Sequence, residues 1–414
     1  MDFAFILISL CLVLAAYVNV SLHERSFVNA FTPALTFLLP ADYLLELYHL
    51  WLFGPSASHF AYALIYACYA GTFCAFTLAY TTVDLPSFRL PFSAPSGTGS
   101  RYSSYVMLAC ALALYAPILI QFKGHLTDPR RIYELTRIGT GTYFFLSATL
   151  CYLALVIFLF KRRLSTAETT AFSIICMLFL WLHGSKNQML LVVFILTTYW
   201  VYVRGWRVSF PKFLAFGSLL GGLGIGLFLI TSPMLILGQE GLRGIASYSD
   251  YTRNGMLLID SGLGPTYGTL TLQNELYSFI PRPLFPEKPR DFGSLYLAEY
   301  FYPYQFERAQ GAPAFSYGTE LADFGPLALP LLVLLNILAG VALRLFMNSL
   351  RRYKDPGSFT MVLFAMGLSI IPISANFLLP ESMLLGIIVN AMHSFRLPAR
   401  PSTDESADIH APAE

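Results

Sequence analysis

Residues 3–22 read FAFILISLCLVLAAYVNVSL, twenty positions without one charged side chain. At about 1.5 Å of rise per residue, a helix of that length covers the ~30 Å hydrocarbon core of a bilayer. In lipid a backbone must satisfy its own hydrogen bonds, so such a segment is helical. Asp2 stands in front of it, no basic n-region precedes it, and no small-x-small cleavage step follows. It reads as a retained first helix rather than a secretory signal.

The same pattern recurs along the chain, at 27–45, 60–79, 105–120, 143–160, 169–182, 189–203, 213–237, 326–345, 359–379 and 382–395. Of the 414 residues, 56% are apolar and only 12% charged, where a soluble globule carries about 25% charged. The expected fold is an all-α polytopic membrane protein of about 11 transmembrane helices. Eight spans fill 1–237, a large and partly helical loop fills 238–325, and three more spans fill 326–397. An acidic tail, 398–414, has the composition of a disordered segment. Span 27–45 is the least regular, interrupted by Pro40 and Asp42 with Glu46 just beyond. The net charge of +2 and the absence of a basic run exclude nucleic acid as a partner. The six cysteines all fall in apolar blocks without C-x-x-C spacing, which suits small hydrophobes and not a disulfide, zinc or redox set.

Lysines and arginines in short loops set the orientation. Lys161-Arg162-Arg163, then Arg204, Arg207 and Lys212, then Arg351, Arg352 and Lys354 each separate pairs of spans, and are expected to be cytoplasmic. The amino terminus is then outside and the carboxyl terminus inside. Two external segments run against the rule. Residues 121–142 carry Lys123, Arg130, Arg131 and Arg137; residues 238–325 carry Arg243, Arg253, Arg282, Lys288, Arg290 and Arg308. An anionic substrate at the outer face would account for them, because guanidinium forks and ammonium groups bind phosphate oxygens.

Within the long loop, 245–263 reads as an amphipathic helix and 270–280 as a second, with Leu272, Leu276 and Phe279 on one face. Pro281, Pro283, Pro286 and Pro289 then forbid helix through the stretch holding Arg282, Lys288 and Arg290. Dense aromatics follow, and the loop reads as a folded cap. The cation candidates are Arg130, Arg131, Arg137, Lys186, Arg253, Arg282, Lys288 and Arg290. Lys186, in the short turn His183-Gly184-Ser185-Lys186, is the sharpest, although an interfacial lysine reaching for headgroups would look the same. Glycosyl transfer to a hydroxyl can use a carboxylate as base. Of the loop carboxylates, Glu275 and Glu320 stand out beside Asn274, Tyr277 and Tyr317, while each alone is also compatible with a surface role. No His/Asp/Glu group has metal-ligand spacing, and no Walker A or G-x-G-x-x-G motif calls for a nucleotide. No metal or cofactor is expected.

Several stretches together resemble the Wzy-type polymerases, the family that polymerises O-antigen or other oligosaccharide repeat units. They are Pro129-Arg130-Arg131-Ile132-Tyr133 with Arg137-Ile138-Gly139-Thr140-Gly141, then Gly184-Ser185-Lys186 at a span junction. The run Ile280-Pro281-Arg282-Pro283-Leu284-Phe285-Pro286-Glu287-Lys288-Pro289 follows, and Tyr317-Gly318-Thr319-Glu320 comes last. Arg130/Gly141, Arg253/Gly264 and Arg282/Gly293 fit an arginine followed by ten residues and a glycine. The layout is also similar to GT-C-like membrane glycosyltransferases. The resemblance implies a glycosyltransferase in the bacterial inner membrane. A growing glycan on undecaprenyl pyrophosphate would pass to a new lipid-linked repeat unit on the periplasmic side, with undecaprenyl pyrophosphate released. It implies a lipid-linked oligosaccharide and the bilayer as partners, with a chain-length regulator as a further candidate. By the same resemblance, Arg130, Arg131, Arg137 and Lys186 would hold the donor pyrophosphate. Arg253, Arg282, Lys288 and Arg290 would bind pyrophosphate and sugar from the loop, and Glu275 or Glu320 would orient or deprotonate the acceptor. The related O-antigen ligases carry a histidine in their large loop and this loop has none. Lys186 departs from the commoner arginine. A ligase-like transferase, a lipid-linked oligosaccharide flippase and a scaffold protein are the rival readings.

Overall fold

The structure, a computed structural model, describes residues 1–93, 102–127, 129–136, 141–161, 164–184, 186–215, 250–280, 285–309, 314–368 and 378–394, together with 217, 218 and 222. Among the described residues every regular element is helical. In chain order these are α1 (Asp2–Glu24), α2 (Thr32–Phe37), α3 (Leu45–Phe53), α4 (His59–Thr82), α5 (Ser103–Gln121), α6 (Pro129–Thr136), α7 (Gly141–Leu159), α8 (Thr166–Trp181) and α9 (Lys186–Thr198). Beyond 249 come α10 (Asp250–Asp260), α11 (Thr269–Phe279), α12 (Ser294–Phe301), α13 (Pro303–Ala309), α14 (Gly318–Phe324), α15 (Ala328–Tyr353), α16 (Pro356–Ala365) and α17 (Leu378–Ser394).

Four described stretches are long and apolar enough to cross a membrane: α1, α4, α5 and the run Gly318–Tyr353, in which α14 leads into α15. They match the first, third, fourth and ninth expected spans. Shorter apolar helices occupy the places of the fifth, sixth, seventh, tenth and eleventh. Most of the eighth lies outside the described residues. The second differs from its expectation: the helical run covers 32–53 rather than 27–45, with a π-helical segment (Leu38–Leu44) between α2 and α3. Pro40 falls inside that segment, where the wider turn accommodates a residue with no N–H to give. The run stops at Gly54, whose φ of 79° closes α3.

Of the long helices α4 is the central one. It is 67% buried over its apolar window, against 28–33% for the other three. Helices α1 and α15 pack on α4, and α5 packs on α7 in a second group that α16 and α17 bridge to the first. With lipid outside, hydrophobic transfer does not drive helices together, and close backbone approach by small residues takes its place. Gly340 of α15 shows this. A Cβ built there would lie 2.4 Å from the Phe76 carbonyl oxygen and 2.9 Å from Ala79 Cβ, both on α4.

Polar contacts gather at two poles. At one, Asp2 meets His59 at 2.6 Å, and Asp260 accepts from the Ser58 amide and hydroxyl at 2.7 and 2.5 Å. At the other, Tyr80 donates to Glu24 at 2.7 Å, Arg351 pairs with Glu24, and Asn348 donates to the Leu85 carbonyl at 2.7 Å. Helix ends assigned to one side from the sequence meet at one pole.

Candidate functional site

The loop helix α10 lies along α4. Asp260 caps the start of α4 at Ser58, a Cβ on Gly255 would reach the Ile65 side chain at 3.1 Å, and Thr252 lies 2.9 Å from the Tyr69 hydroxyl. The two helices are antiparallel. Ser58 and Tyr69 are eleven residues apart, roughly 16 Å of helix, so α10 reaches that far along α4 from its outer-assigned end.

What it meets there is a hydroxyl network around Asp42. Thr252 donates to Asp42 Oδ1 at 2.6 Å, and the Tyr69 hydroxyl reaches the same oxygen at 2.9 Å and Ser316 Oγ at 2.7 Å. Tyr66 donates to the Asp42 backbone carbonyl at 2.6 Å, and one turn further Tyr62 donates to the buried Glu46 at 3.0 Å. Tyr62, Tyr66 and Tyr69 thus form one stripe of α4, facing Asp42 and Glu46 on the irregular second helix. Segment 314–317 completes the floor. The Ser316 amide donates to the Tyr251 carbonyl at 3.0 Å, Asn254 donates to the Ala314 carbonyl at 3.0 Å, and Tyr302 donates to Asn254 at 2.6 Å. Tyr317 lies 2.9 Å from the Thr72 hydroxyl, its ring 5.4 Å from that of Tyr69.

Two expected site residues border this network. Arg253 follows Thr252 on α10, half-buried, close enough for its charge to act on His49 of α3 and on Asp250. Burial pushes the Asp250 carboxyl up and Arg253 opposes it. Glu320, on α14, is half-buried with its charge felt at Cys68 of α4. Glu275 is buried on α11, which packs against α14. Asp323 of α14 joins them: it accepts from the Leu270 and Thr271 amides at 3.0 and 2.8 Å and from the Thr271 hydroxyl at 2.6 Å, and bonds Thr266 as well. A carboxylate is favoured at that place, where the first amides of a helix lack intrahelical acceptors.

Other candidates are placed differently. Lys288 donates to the Tyr277 carbonyl and, at 3.1 Å, to that of Ile280, with its ammonium 4.5 Å from the Phe292 ring centre. It serves there as a cationic cap on the end of α11. Arg290 is exposed on the irregular stretch 285–293. Arg137 and Arg282 fall outside the described residues, and only the backbone of Arg130 and Lys186 is described. Helix α6, with Arg131 exposed, docks through Tyr133 on Phe144, whose ring centre is 4.7 Å from that of His183. The His183 imidazole is buried against Tyr115 at 4.1 Å and lies 2.9 Å from Ser147 Oγ and 3.0 Å from the Phe179 carbonyl oxygen. This is a structural anchor for the turn before Lys186, and it brings α6 and that turn together. On α11 the face carrying Leu272 and Leu276 is the exposed one, at 58% and 55%. Leu270 and Glu275 face the protein. Among the described residues no group of three or more His, Cys, Asp or Glu is placed to hold a metal ion.

The sequence reading passed over Asp42, Tyr69, Thr252 and Ser316. The signal lay in two matched spacings, Asp42 with Glu46 and Tyr62 with Tyr66 and Tyr69, polar groups at helical intervals inside apolar segments. Such groups are costly in lipid and mark functional surfaces.

Over 396 residues the chain is 32% identical to the O-antigen polymerase of Salmonella typhimurium, covering 94% of this chain and 95% of that relative. The O-antigen polymerase of Salmonella typhi matches to the same identity and extent. No family model matches the chain, and no solved structure matches it.

Proposed function

The chain belongs to the O-antigen polymerase family, and from that membership we propose how its outer pole carries out the reaction. It is a membrane glycosyltransferase that polymerises repeat units in O-antigen synthesis, and its substrate is a lipid-linked oligosaccharide. The finer reading is ours. The growing glycan on undecaprenyl pyrophosphate is transferred to a new lipid-linked unit on the periplasmic side of the inner membrane, and undecaprenyl pyrophosphate leaves. The amino terminus is periplasmic and the carboxyl terminus cytoplasmic. A chain-length regulator is a partner of the machine.

The observation that carries this reading is the meeting of α10 and α14 on α4. It sets the Arg253 helix and the Glu320 helix around one polar network. The network reaches about 16 Å along α4 from its outer-assigned end. Arg130, Arg131, Arg137 and Lys186 hold the donor pyrophosphate from the α6 side, and Arg253, Arg282 and Arg290 bind pyrophosphate and sugar from the loop. Lys288 acts with them through its hold on α11. Positioned cations stabilise the negative charge that grows on the leaving pyrophosphate. Glu275 and Glu320 orient the acceptor sugar. The donor is already activated, so the reaction asks for no nucleotide.

The test is reconstitution. The purified protein, given lipid-linked repeat units extracted from a strain lacking its polymerase, is expected to form ladders that collapse in Arg282→Ala and in Lys186→Ala. Full ladders from both variants would refute the cation assignment. No ladder from the wild type, with the same lipid crossing the liposome bilayer, would replace the polymerase reading by a flippase.

A further inference from the structure

Asp42 interrupts an apolar stretch and is surrounded by hydroxyls. We propose that Asp42 is the proton acceptor for the acceptor sugar hydroxyl, an assignment that rests on the polymerase reading above.

The first ground is geometry. Thr252 and Tyr69 place two O–H groups on Asp42 Oδ1 at 2.6 and 2.9 Å, the distances at which a base receives the hydroxyl it deprotonates. Both fall on one oxygen, and Oδ2 takes no hydrogen bond from a described residue. Asp42 is partly exposed as a residue although its carboxyl lies mostly buried, and Oδ2 is the oxygen left for one substrate hydroxyl.

The second ground is charge. The titratable groups that couple to Asp42 are Tyr43, Tyr66, Tyr69 and Tyr317, all neutral near pH 7. Tyr43 is on its own helix, Tyr66 and Tyr69 are on α4, and Tyr317 opens α14. An ion-paired carboxylate is a weaker base; Asp42 is stabilised by neutral donors. Other carboxylates of this pole are engaged in structure: Asp323 caps α11, Asp260 binds the start of α4, and Asp2 meets His59.

The third ground is placement. Thr252, which binds Asp42, is followed on α10 by Arg253, whose charge acts on His49 of α3, so an anion-binding candidate and the proton acceptor lie where the same helices, α10 and the one carrying Asp42 and His49, meet.

In the step, the acceptor oxygen attacks the anomeric carbon of the donor glycan. The bond from that carbon to the pyrophosphate oxygen breaks, and its electron pair leaves with the pyrophosphate. The hydroxyl proton passes to Asp42 Oδ2 and on to water once the product has moved.

Asp42→Asn is nearly isosteric and keeps an oxygen for Thr252 and Tyr69. With the same extracted lipid-linked repeat units, it is expected to lower kcat by about 10²–10⁴-fold, the range for losing a general base, with KM and melting temperature close to wild type. Tyr69→Phe removes a donor that favours the charged carboxylate. It is expected to move the acidic limb of the kcat–pH profile to higher pH. That second readout decides the matter if Asp42→Asn fails to fold, because a purely structural contact would not shift the limb. The proposal is overturned if Asp42→Asn works within threefold of wild type, or if Tyr69→Phe leaves the limb in place. It is also overturned if Glu275→Gln or Glu320→Gln abolishes the limb while Asp42→Asn retains it. Ladders from the wild type alongside an active Asp42→Asn remove this assignment alone. A wild type that makes none removes the polymerase reading as well.

Discussion

Glu24 ends α1 at one pole, and Asp42 lies near the other, both against the central helix α4. Glu24, its side chain 4% exposed, takes a hydrogen bond from Tyr80 at 2.7 Å and pairs with the Arg351 guanidinium. Asp42 takes its side-chain bonds from the Thr252 and Tyr69 hydroxyls, both of them neutral donors. Both use a tyrosine of α4, so the difference is the counter-charge. A guanidinium–carboxylate pair is hard to open, because separating it leaves a charge in a poorly solvated place. A carboxylate held by hydroxyls can exchange one hydroxyl for another at little cost, and a sugar is a source of hydroxyls. The pair at the Glu24 pole ties α1 to α15; the network at the other leaves its carboxylate able to act.

The largest effect that could break this contrast comes from Arg351→Ala. It strands Glu24 with Tyr80 as its remaining donor, and removing one member of a buried pair costs about 3–5 kcal/mol. Arg351 is itself 40% exposed, and water admitted there lowers the expected loss to about 2–3 kcal/mol. Thermal unfolding in detergent is expected to show the drop, with ladder synthesis per folded molecule unchanged. A loss of turnover without a loss of stability would mean that the two poles do not divide the work in this way.

Four of the expected spans were readable as long apolar helices because the period and length of such a helix are local properties. Residues 3–22, 60–79 and 105–120 fall within α1, α4 and α5. The second span was bounded at 27–45 because Glu46 looks like an end, while the helical run begins at Thr32, takes Pro40 into a π-helical turn and carries the buried Glu46 on to Phe53. The site was legible only in part. Arg253 and Glu320 stood out as charges in the long loop, and both border the network around Asp42. Asp42, Thr252 and Ser316 come from three distant parts of the chain, and only the docking of α10 along α4 joins them. Lys288 shows the converse. In sequence it is a cation among prolines; its nearest partners are the carbonyls at the end of α11, which no spacing rule announces.

A smaller effect sharpens the Asp42 side of the comparison. Gly255 lets α10 approach: a Cβ there would lie 2.8 Å from the Ser316 carbonyl oxygen and 3.1 Å from Ile65 Cδ1. Since a backbone oxygen is in the way, Gly255→Ala must move α10 or segment 314–317. Overpacking of this kind costs about 1–3 kcal/mol, partly offset by the gain in helix propensity, about 1 kcal/mol. The net loss of stability is expected to stay near 1 kcal/mol. Turnover is expected to fall further than stability, because the shift separates Thr252 and Ser316 from Tyr69. Equal activity in the two proteins would show that the close fit of α10 on α4 has no part in the reaction.

The smallest effect tests whether burial, and not mere pairing, distinguishes the Glu24 pole. Lys161 and Glu168 form a 2.7 Å pair on the side assigned to the cytoplasm; the Lys161 side chain is 8% exposed with its ammonium over the Phe158 ring, and the Glu168 side chain, the one the substitution neutralises, is 46% exposed. Lys161, hydrogen-bonded to it, holds the Glu168 carboxyl below the usual carboxylate range. A depressed carboxyl contributes stability above its unfolded pKa, about 4.3, and loses it as pH falls through the lower folded value. Glu168→Gln should therefore melt marginally below wild type at neutral pH and coincide with it once the wild-type carboxyl is protonated in the folded and the unfolded state alike. Added salt should narrow the neutral-pH gap, as screening does for an exposed pair. Ser165 still caps α8, accepting from the residue 168 amide at 3.1 Å, so the substitution leaves the helix start intact. A drop as large as that of Arg351→Ala, or one that persists at low pH, would show that exposure does not set the worth of an ion pair at this pole. The contrast between Glu24 and Asp42 would then need a cause other than the company each carboxylate keeps.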